Sequence, residues 1–213
     1  MCTPDGRANS LHNDGLTHKK GIVAHNPHPA LSLLFVTIQY LRIILYTYFA
    51  MNPYREIFEQ LNTKDIRYLV VGGVAVNLHG YRRFTGDMDI LLALDNKNLD
   101  IMTALMHDLG YIERLPVELH VLADAAKVQQ FLTEKGMTAY TFLSNKRERI
   151  DLDILAAASL HFDDYDQRKT LIELEDGLRV PVVSLNDLLN MKKEANRDKD
   201  LRDVEMLLQL KGI

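Results

Sequence analysis

The sequence predicts an α/β (α+β) domain, a mixed sheet flanked by helices and followed by a C-terminal helical segment. Three observations carry this. Short apolar, β-branched runs recur: IRYLVVGG (66–73), DMDILLAL (87–94), TAYTFLS (138–144) and RIDLDIL (149–155). Stretches with helical spacing of apolar residues lie between the first three of them. The last such stretch, 185–210, has no strand after it. With 213 residues, 47% of them hydrophobic, the chain can bury one good core.

The elements follow in order. In MNPYREIFEQLN, Asn52 suits a helix cap, Pro53 the first helical position, and Ile57, Phe58 and Leu61 an inward face. IRYLVVGG reads as a buried strand running into a turn, and VAVNLHG (74–80) as a short helix stopped by Gly80. DMDILLAL is the second strand. NKNLDIMTALMHDLGY (96–111) aligns Leu99, Met102, Leu105, Met106 and Leu109 on one helix face, with Gly110 as its stop. DAAKVQQFLTEKG (124–136) is a further helix with a glycine stop. Two strands follow, 138–144 and 149–155. LIELEDGLRVPVVS (171–184) reads as a hairpin around Asp176–Gly177. Ser184 with Asp187 makes a capping-box start for the helical remainder.

The first fifty residues do not match this pattern. Residues 1–29 have no apolar period and read as a disordered tail. Residues 30–50, ALSLLFVTIQYLRIILYTYFA, are long enough to cross a bilayer. Yet Gln39 and Arg42 lie near the middle, where a charge in lipid costs roughly 2.5–3.5 kcal/mol on insertion scales. The expected organisation is an extension over 1–50 and a functional domain over 51–213, with a membrane anchor as the lesser alternative. The net charge of −4 supplies no global field for nucleic acid, so such a partner would need a local patch such as Lys192, Lys193, Arg197 and Lys199. Cys2 is the one cysteine, which excludes a disulfide framework and a cysteine-built metal site and fits a reducing cytoplasm.

The chemistry lies in the aspartates. Strand residues i and i+2 share a face, so Asp87 and Asp89 project together while Met88 points the other way. Close carboxylates drive each other toward protonation unless a cation intervenes. A hard divalent ion, Mg²⁺ or Mn²⁺, resolves the conflict with oxygen ligands. Asp151 and Asp153 share a face in the same manner and offer the third carboxylate; spacing does not choose between them. Three acidic groups on adjacent strands suit two ions roughly 3.5–4 Å apart, the arrangement of in-line phosphoryl displacement. A lone D-x-D often marks only a solvated strand end. Two, each among apolar residues, imply a repeated burial of charge that function explains better. Gly72 and Gly73 end a strand at a helix start, where backbone N–H groups and the helix dipole suit a phosphate.

This assembly resembles the polymerase β-type nucleotidyltransferase superfamily: a hydrophobic strand into Gly-Gly (VVGG, 70–73), a short helix, D-x-D (DMD, 87–89) and a later carboxylate (RID, 149–151). It is closer to small stand-alone prokaryotic members, some of which are toxins or antitoxins. Their R-x-T-x-D-x-D run is matched by Arg83, Thr85, Asp87 and Asp89, and their C-terminal K…R-x-K-D-x-x-D run by KKEANRDKDLRD (192–203). The resemblance spans roughly 53–210. It implies a magnesium- or manganese-dependent transferase that moves a nucleoside monophosphate from an NTP to an acceptor hydroxyl on tRNA, protein or a small molecule. Gly72, Gly73, Arg83, Thr85, Lys192 and Arg197 would then bind nucleotide. Asp87 and Asp89 would bind metal, with Asp151 the better match to the third carboxylate and Asp153 its competitor. The bland alternative is that Lys192, Arg197 and Lys199 are a solvated helix face, or that Asp200 and Asp203 pair with them and leave nothing for a ligand; Lys199 and Asp200 are read as structural, and a cognate toxin or antitoxin as a possible partner. Many relatives carry Ser where this chain has Gly73, so backbone N–H groups must serve there. His79 reads as a bland helix-end residue, and His120 and His161 lack ligand spacing. Two rivals stand beside this reading: a sugar-nucleotide transferase using D-x-D, and a non-catalytic antitoxin or nucleic-acid-binding module on the same fold.

Overall fold

The computed structural model describes residues 54–136, 138–145, 150–156, 161–174 and 177–212. The expectations for residues 1–50, for the Asn52 cap and Pro53, for Arg149 and for Asp176 lie outside them. Among the described residues no helix is long and apolar enough to cross a membrane.

Among the described residues the first element is helix α1 (54–63). β1 (Tyr68–Val70), α2 (Gly72–Leu78), β2 (Asp87–Leu92), α3 (Asn96–Asp108) and β3 (Tyr111–Glu113) follow. After a 3-10 turn (Leu119–Ala123) come α4 (Ala125–Lys135), β4 (Ala139–Ser144), β5 (Asp151–Leu155) and α5 (Phe162–Asp166). β6 (Thr170–Glu173), β7 (Arg179–Val182), α6 (Leu185–Ala195) and α7 (Asp198–Lys211) complete the order. The strands form one mixed sheet, β3-β4-β5-β2-β1-β7-β6. β2 lies antiparallel to β1 and parallel to β5; β7 lies parallel to β1 and antiparallel to β6.

The central strands explain the core. Leu69, Val70, Met88, Ile90, Phe142, Leu152, Ile154, Val180 and Val182 are fully buried, joined by Phe58 and Leu61 of α1 and Leu99 and Met102 of α3. β2 changes character along its length. It alternates exposed and buried at Asp87, Met88 and Asp89, then buries Ile90, Leu91 and Leu92 in succession. One end of the strand therefore carries an open polar face, and the other is covered on both sides.

Local signals account for most boundaries. Asp124 caps α4 by accepting from the N–H groups of Ala126 and Lys127, and Gly136 (φ +61°) ends it. The Ser184 Oγ accepts from the Asp187 N–H at 3.1 Å, the expected start of α6. The structure departs from expectation in four places. α2 starts at Gly72 instead of residue 74. Tyr111 leaves the helix and opens β3, because Gly110 (φ +81°) turns the chain back. The 3-10 turn and α5 were not anticipated. The C-terminal helical stretch breaks in two at Asn196 (φ +51°).

A single side chain ties the first turn of α3 to the strand ends. Buried Asn98 accepts from the Arg67 N–H at 2.9 Å and donates to the carbonyls of Arg67 (3.1 Å) and Ala93 (2.9 Å). Alanine there leaves buried backbone groups without these bonds. Asn98→Ala is expected to lower unfolding free energy by about 2–3 kcal/mol, read from urea denaturation midpoints.

Candidate active site

Parallel pairing of β2 with β5 sets Asp87 beside Asp151 and Asp89 beside Asp153. All four carboxylates thus project from one face, while Met88, Ile90, Leu152 and Ile154 are buried in the core. Three of the four converge. Among the described residues, Asp87, Asp89 and Asp153 each bring a carboxylate oxygen within 4.8 Å of the others. Asp151 is held elsewhere: its Oδ1 accepts from the Ser144 N–H at 2.9 Å, and its Oδ2 lies 3.8 Å from the Arg114 guanidinium. Asp153, the competing candidate, is the third carboxylate that the structure brings to the pair.

The glycine turn is shaped by the same carboxylates. Gly72 adopts φ +60°, and a Cβ built there would fall 1.9 Å from Asp89 Oδ2. A Cβ on Gly73 would fall 2.4 Å from Thr85 Oγ1 and 3.3 Å from Arg83 Nη1. Both glycines therefore make room for side chains of the site itself. The Gly73 N–H also donates to Asp89. Thr85 Oγ1 donates to Asp87 Oδ1 at 3.1 Å. The Tyr54 hydroxyl donates to the Thr85 carbonyl at 3.0 Å, and burial, with Asp87 nearby, pushes that phenol up to about 12.

Electrostatics identify what the cluster lacks. Burial, then Asp87 and Asp153, push the Asp89 carboxyl up to about 6, against the smaller opposing pull of the Gly73 N–H and Lys192. Asp153 Oδ1 is buried without a hydrogen-bond partner. An orphaned carboxylate oxygen facing two like charges, in a donor set made only of oxygen, fits a hard divalent cation.

In the C-terminal basic run Lys193, Arg197 and Lys199 are exposed, but Lys192 is not. Lys192 is buried and donates to Asp200 Oδ1 at 2.8 Å, with Asp203 Oδ2 at 2.9 Å. The expected cleft-facing lysine is a strut between two carboxylates, because α7 packs on α6 at this point. Arg83 grips Asp203 with Nε (2.6 Å) and Nη2 (2.8 Å), and Arg197 Nε donates to Asp200 at 2.5 Å. His79, at the end of α2, is buried 2.8 Å from the Val183 carbonyl, and burial lowers its pKa; it packs there instead of serving as the helix-end charge expected of it. His120 meets Asp100, and His161 precedes α5.

Two residues and one long-range pairing escaped the sequence reading. Tyr54 gave no signal of its partner. Asn77 clasps Arg83 on both sides, with its amide donating to the Arg83 carbonyl and accepting from its N–H. Asp203 lies 120 residues from Arg83, and no local pattern links them.

Residues 53–210 match the family described as "Nucleotidyltransferase of unknown function (DUF6036)". The chain belongs to this nucleotidyltransferase family. No curated protein matches it in sequence. Two solved structures share its fold. The lincosamide antibiotic adenylyltransferase LnuA, lincomycin-bound, is 16% identical, covers 73% of this chain and 94% of its own, and has a TM-score of 0.51. The antibiotic-resistance factor ANT(2'')-Ia is 11% identical, covers 75% of this chain and 82% of its own, and has a TM-score of 0.50. The nucleotidyltransferase domain thus has its family's mixed sheet, with an acidic group on β2 and β5.

Two outcomes follow for the nucleotidyltransferase without metal. Its folded state holds the Asp89 proton more tightly than an unfolded carboxyl does, so stability falls as pH rises from about 4 to about 6. The loss is about 2–3 kcal/mol, read from urea midpoints in EDTA and absent from Asp89→Asn. Gly72→Ala must displace Asp89 and strain the turn. It is expected to weaken Mn²⁺ binding by about tenfold or more, measured by titration calorimetry on protein whose circular dichroism remains native.

Proposed function

We propose that the protein transfers a nucleoside monophosphate from an NTP to an acceptor hydroxyl and releases pyrophosphate, using Mg²⁺ or Mn²⁺ held by Asp87, Asp89 and Asp153. The observation that carries this is the convergence of three carboxylates with an unpartnered buried oxygen on Asp153. When bound, the divalent ion polarises the α-phosphate and stabilises charge on the leaving pyrophosphate.

The chain's own groups divide the remaining work. Asp87 and Asp89 are held in place by Thr85 and by the Gly73 N–H, so the ligand geometry is built before substrate arrives. The Gly72–Gly73 turn lies against Asp89 and presents backbone next to the metal ligands, and we assign it the phosphate contact. Arg83 and Arg197 supply positive charge for the β- and γ-phosphates. Lys192 acts from behind Asp89, where its charge favours the ionised carboxylate. Asp151 stands beside Asp87 in register and is half exposed, a position suited to the acceptor hydroxyl.

The acceptor class belongs to experiment: tRNA, a protein side chain, such as one on a cognate toxin or antitoxin, or a small molecule. The two proteins that share the fold are named for antibiotics, which places small hydroxylated compounds in the first panel. Incubation with labelled NTPs, Mg²⁺ and each acceptor class is expected to yield one labelled product. Asp87→Asn, Asp89→Asn and Asp153→Asn should each reduce it on the order of 100-fold or more. Product that persists in all three variants overturns the reading, and would leave a non-catalytic antitoxin or nucleic-acid-binding role.

A further inference from the structure

α7 contributes no residue to the acidic group, yet two of its aspartates are the most deeply buried charges described, Asp200 at 0% and Asp203 at 1% exposure. They sit three residues apart on the inner face of the helix. Between them and their partners runs a row of alternating charge: Arg83, Asp203, Lys192, Asp200, Arg197. Burial works to raise both carboxyls, but hydrogen bonds from Arg197 and Lys192 hold Asp200 below the usual range, and those from Arg83 and Lys192 do the same for Asp203.

The row has three cations and two anions. Its surplus positive charge lies close enough to the metal carboxylates to be felt there: Lys192 acts on Asp89, and Asp89 and Asp87 act on Arg197. Its two ends differ. Arg83 is gripped at both Nε and Nη2, and its Nη1 donates to the Phe84 carbonyl and lies 3.3 Å from where a Gly73 Cβ would fall. Arg197 meets Asp200 through Nε alone, with a side chain that is 62% exposed. A guanidinium held by Nε keeps its planar Nη edge pointing outward, the geometry that grips a phosphate with two parallel bonds.

Stability alone is a poor account of such a row. Buried ion pairs can often be replaced by apolar residues at no loss, whereas apolar residues cannot aim a guanidinium. We infer that Asp200 and Asp203 are positioning residues: α7 holds Arg197 by its Nε side so that its Nη edge faces the pyrophosphate portion of an NTP at the carboxylate site, and clamps Arg83 so that its charge and the loop leading to Asp87 stay fixed beside that site. The inference rests on the nucleotidyltransferase reading above and adds to it which groups set phosphate affinity.

The test is a double-mutant cycle on magnesium pyrophosphate affinity, measured by titration calorimetry on the full chain. Asp200→Asn and Arg197→Ala are each expected to weaken binding by about tenfold. The double variant should weaken it no further than Arg197→Ala alone, because Asp200 acts through Arg197. Arg197→Lys, which keeps the charge but loses the fork, should recover little of the affinity. Asp203→Asn should behave as Asp200→Asn does; if it fails to fold, the Asp200 cycle decides alone. Additive losses, or a folded Asp200→Asn with wild-type affinity and only a lower melting temperature, overturn the inference. Mn²⁺ titration and NMP transfer are followed on the same proteins. Transfer with an additive cycle sinks the positioning role alone, whereas a non-additive cycle without transfer sinks the proposed reaction alone.

Discussion

Mutual repulsion among Asp87, Asp89 and Asp153 is the constraint from which the rest of the structure can be understood. The parallel register of β2 and β5 leaves these side chains no choice but to share one face, and the apolar residues between them lock that register. A one-residue slip of β5 would turn Asp151 and Asp153 into the core and Leu152 and Ile154 out of it. The sheet thus spends part of its hydrophobic stability on holding like charges together. Everything placed around the cluster works on that unfavourable charge: the Gly73 N–H, the Thr85 hydroxyl, and the cationic row behind Asp89.

The glycines show how the constraint reaches the neighbouring backbone. Gly72 lacks a side chain because Asp89 occupies the space where one would project, and Gly73 because Thr85 does. The loop between α2 and β2 is then fastened from three sides: by Asn77 from α2, by Tyr54 from α1, and by Asp203 from α7. Elements far apart in the chain meet on the stretch from Arg83 to Thr85, which is the stretch that sets Asp87.

Much of this was legible in the residues, for identifiable reasons. Period-two alternation around Met88 and Leu152 places each D-x-D on one face before any coordinate is known. Capping chemistry marks Asp124 and Ser184 as helix starts. The choice between Asp151 and Asp153 was not legible. It turns on where β4 ends, because the Ser144 N–H at that end draws Asp151 away, and no pattern within RIDLDIL encodes that N–H. The packing of Asp89 and Thr85 against the Gly72–Gly73 pair was not legible either, because those side chains come more than ten residues later in the chain. β3 was lost because a three-residue strand after Gly110 carries too little periodicity to register. The burial of Lys192, expected to face the cleft, was not legible, since a charge on an amphipathic helix gives no sign that a second helix will cover it.

The Arg83–Asp203 pair has a consequence for biosynthesis. Every metal-binding carboxylate is translated well before α7, yet the loop that orients Asp87 stays untethered on one side until Asp203 has left the ribosome. A partly synthesised polypeptide therefore carries the acidic cluster and all three cations of the row without the two aspartates that hold those cations in place.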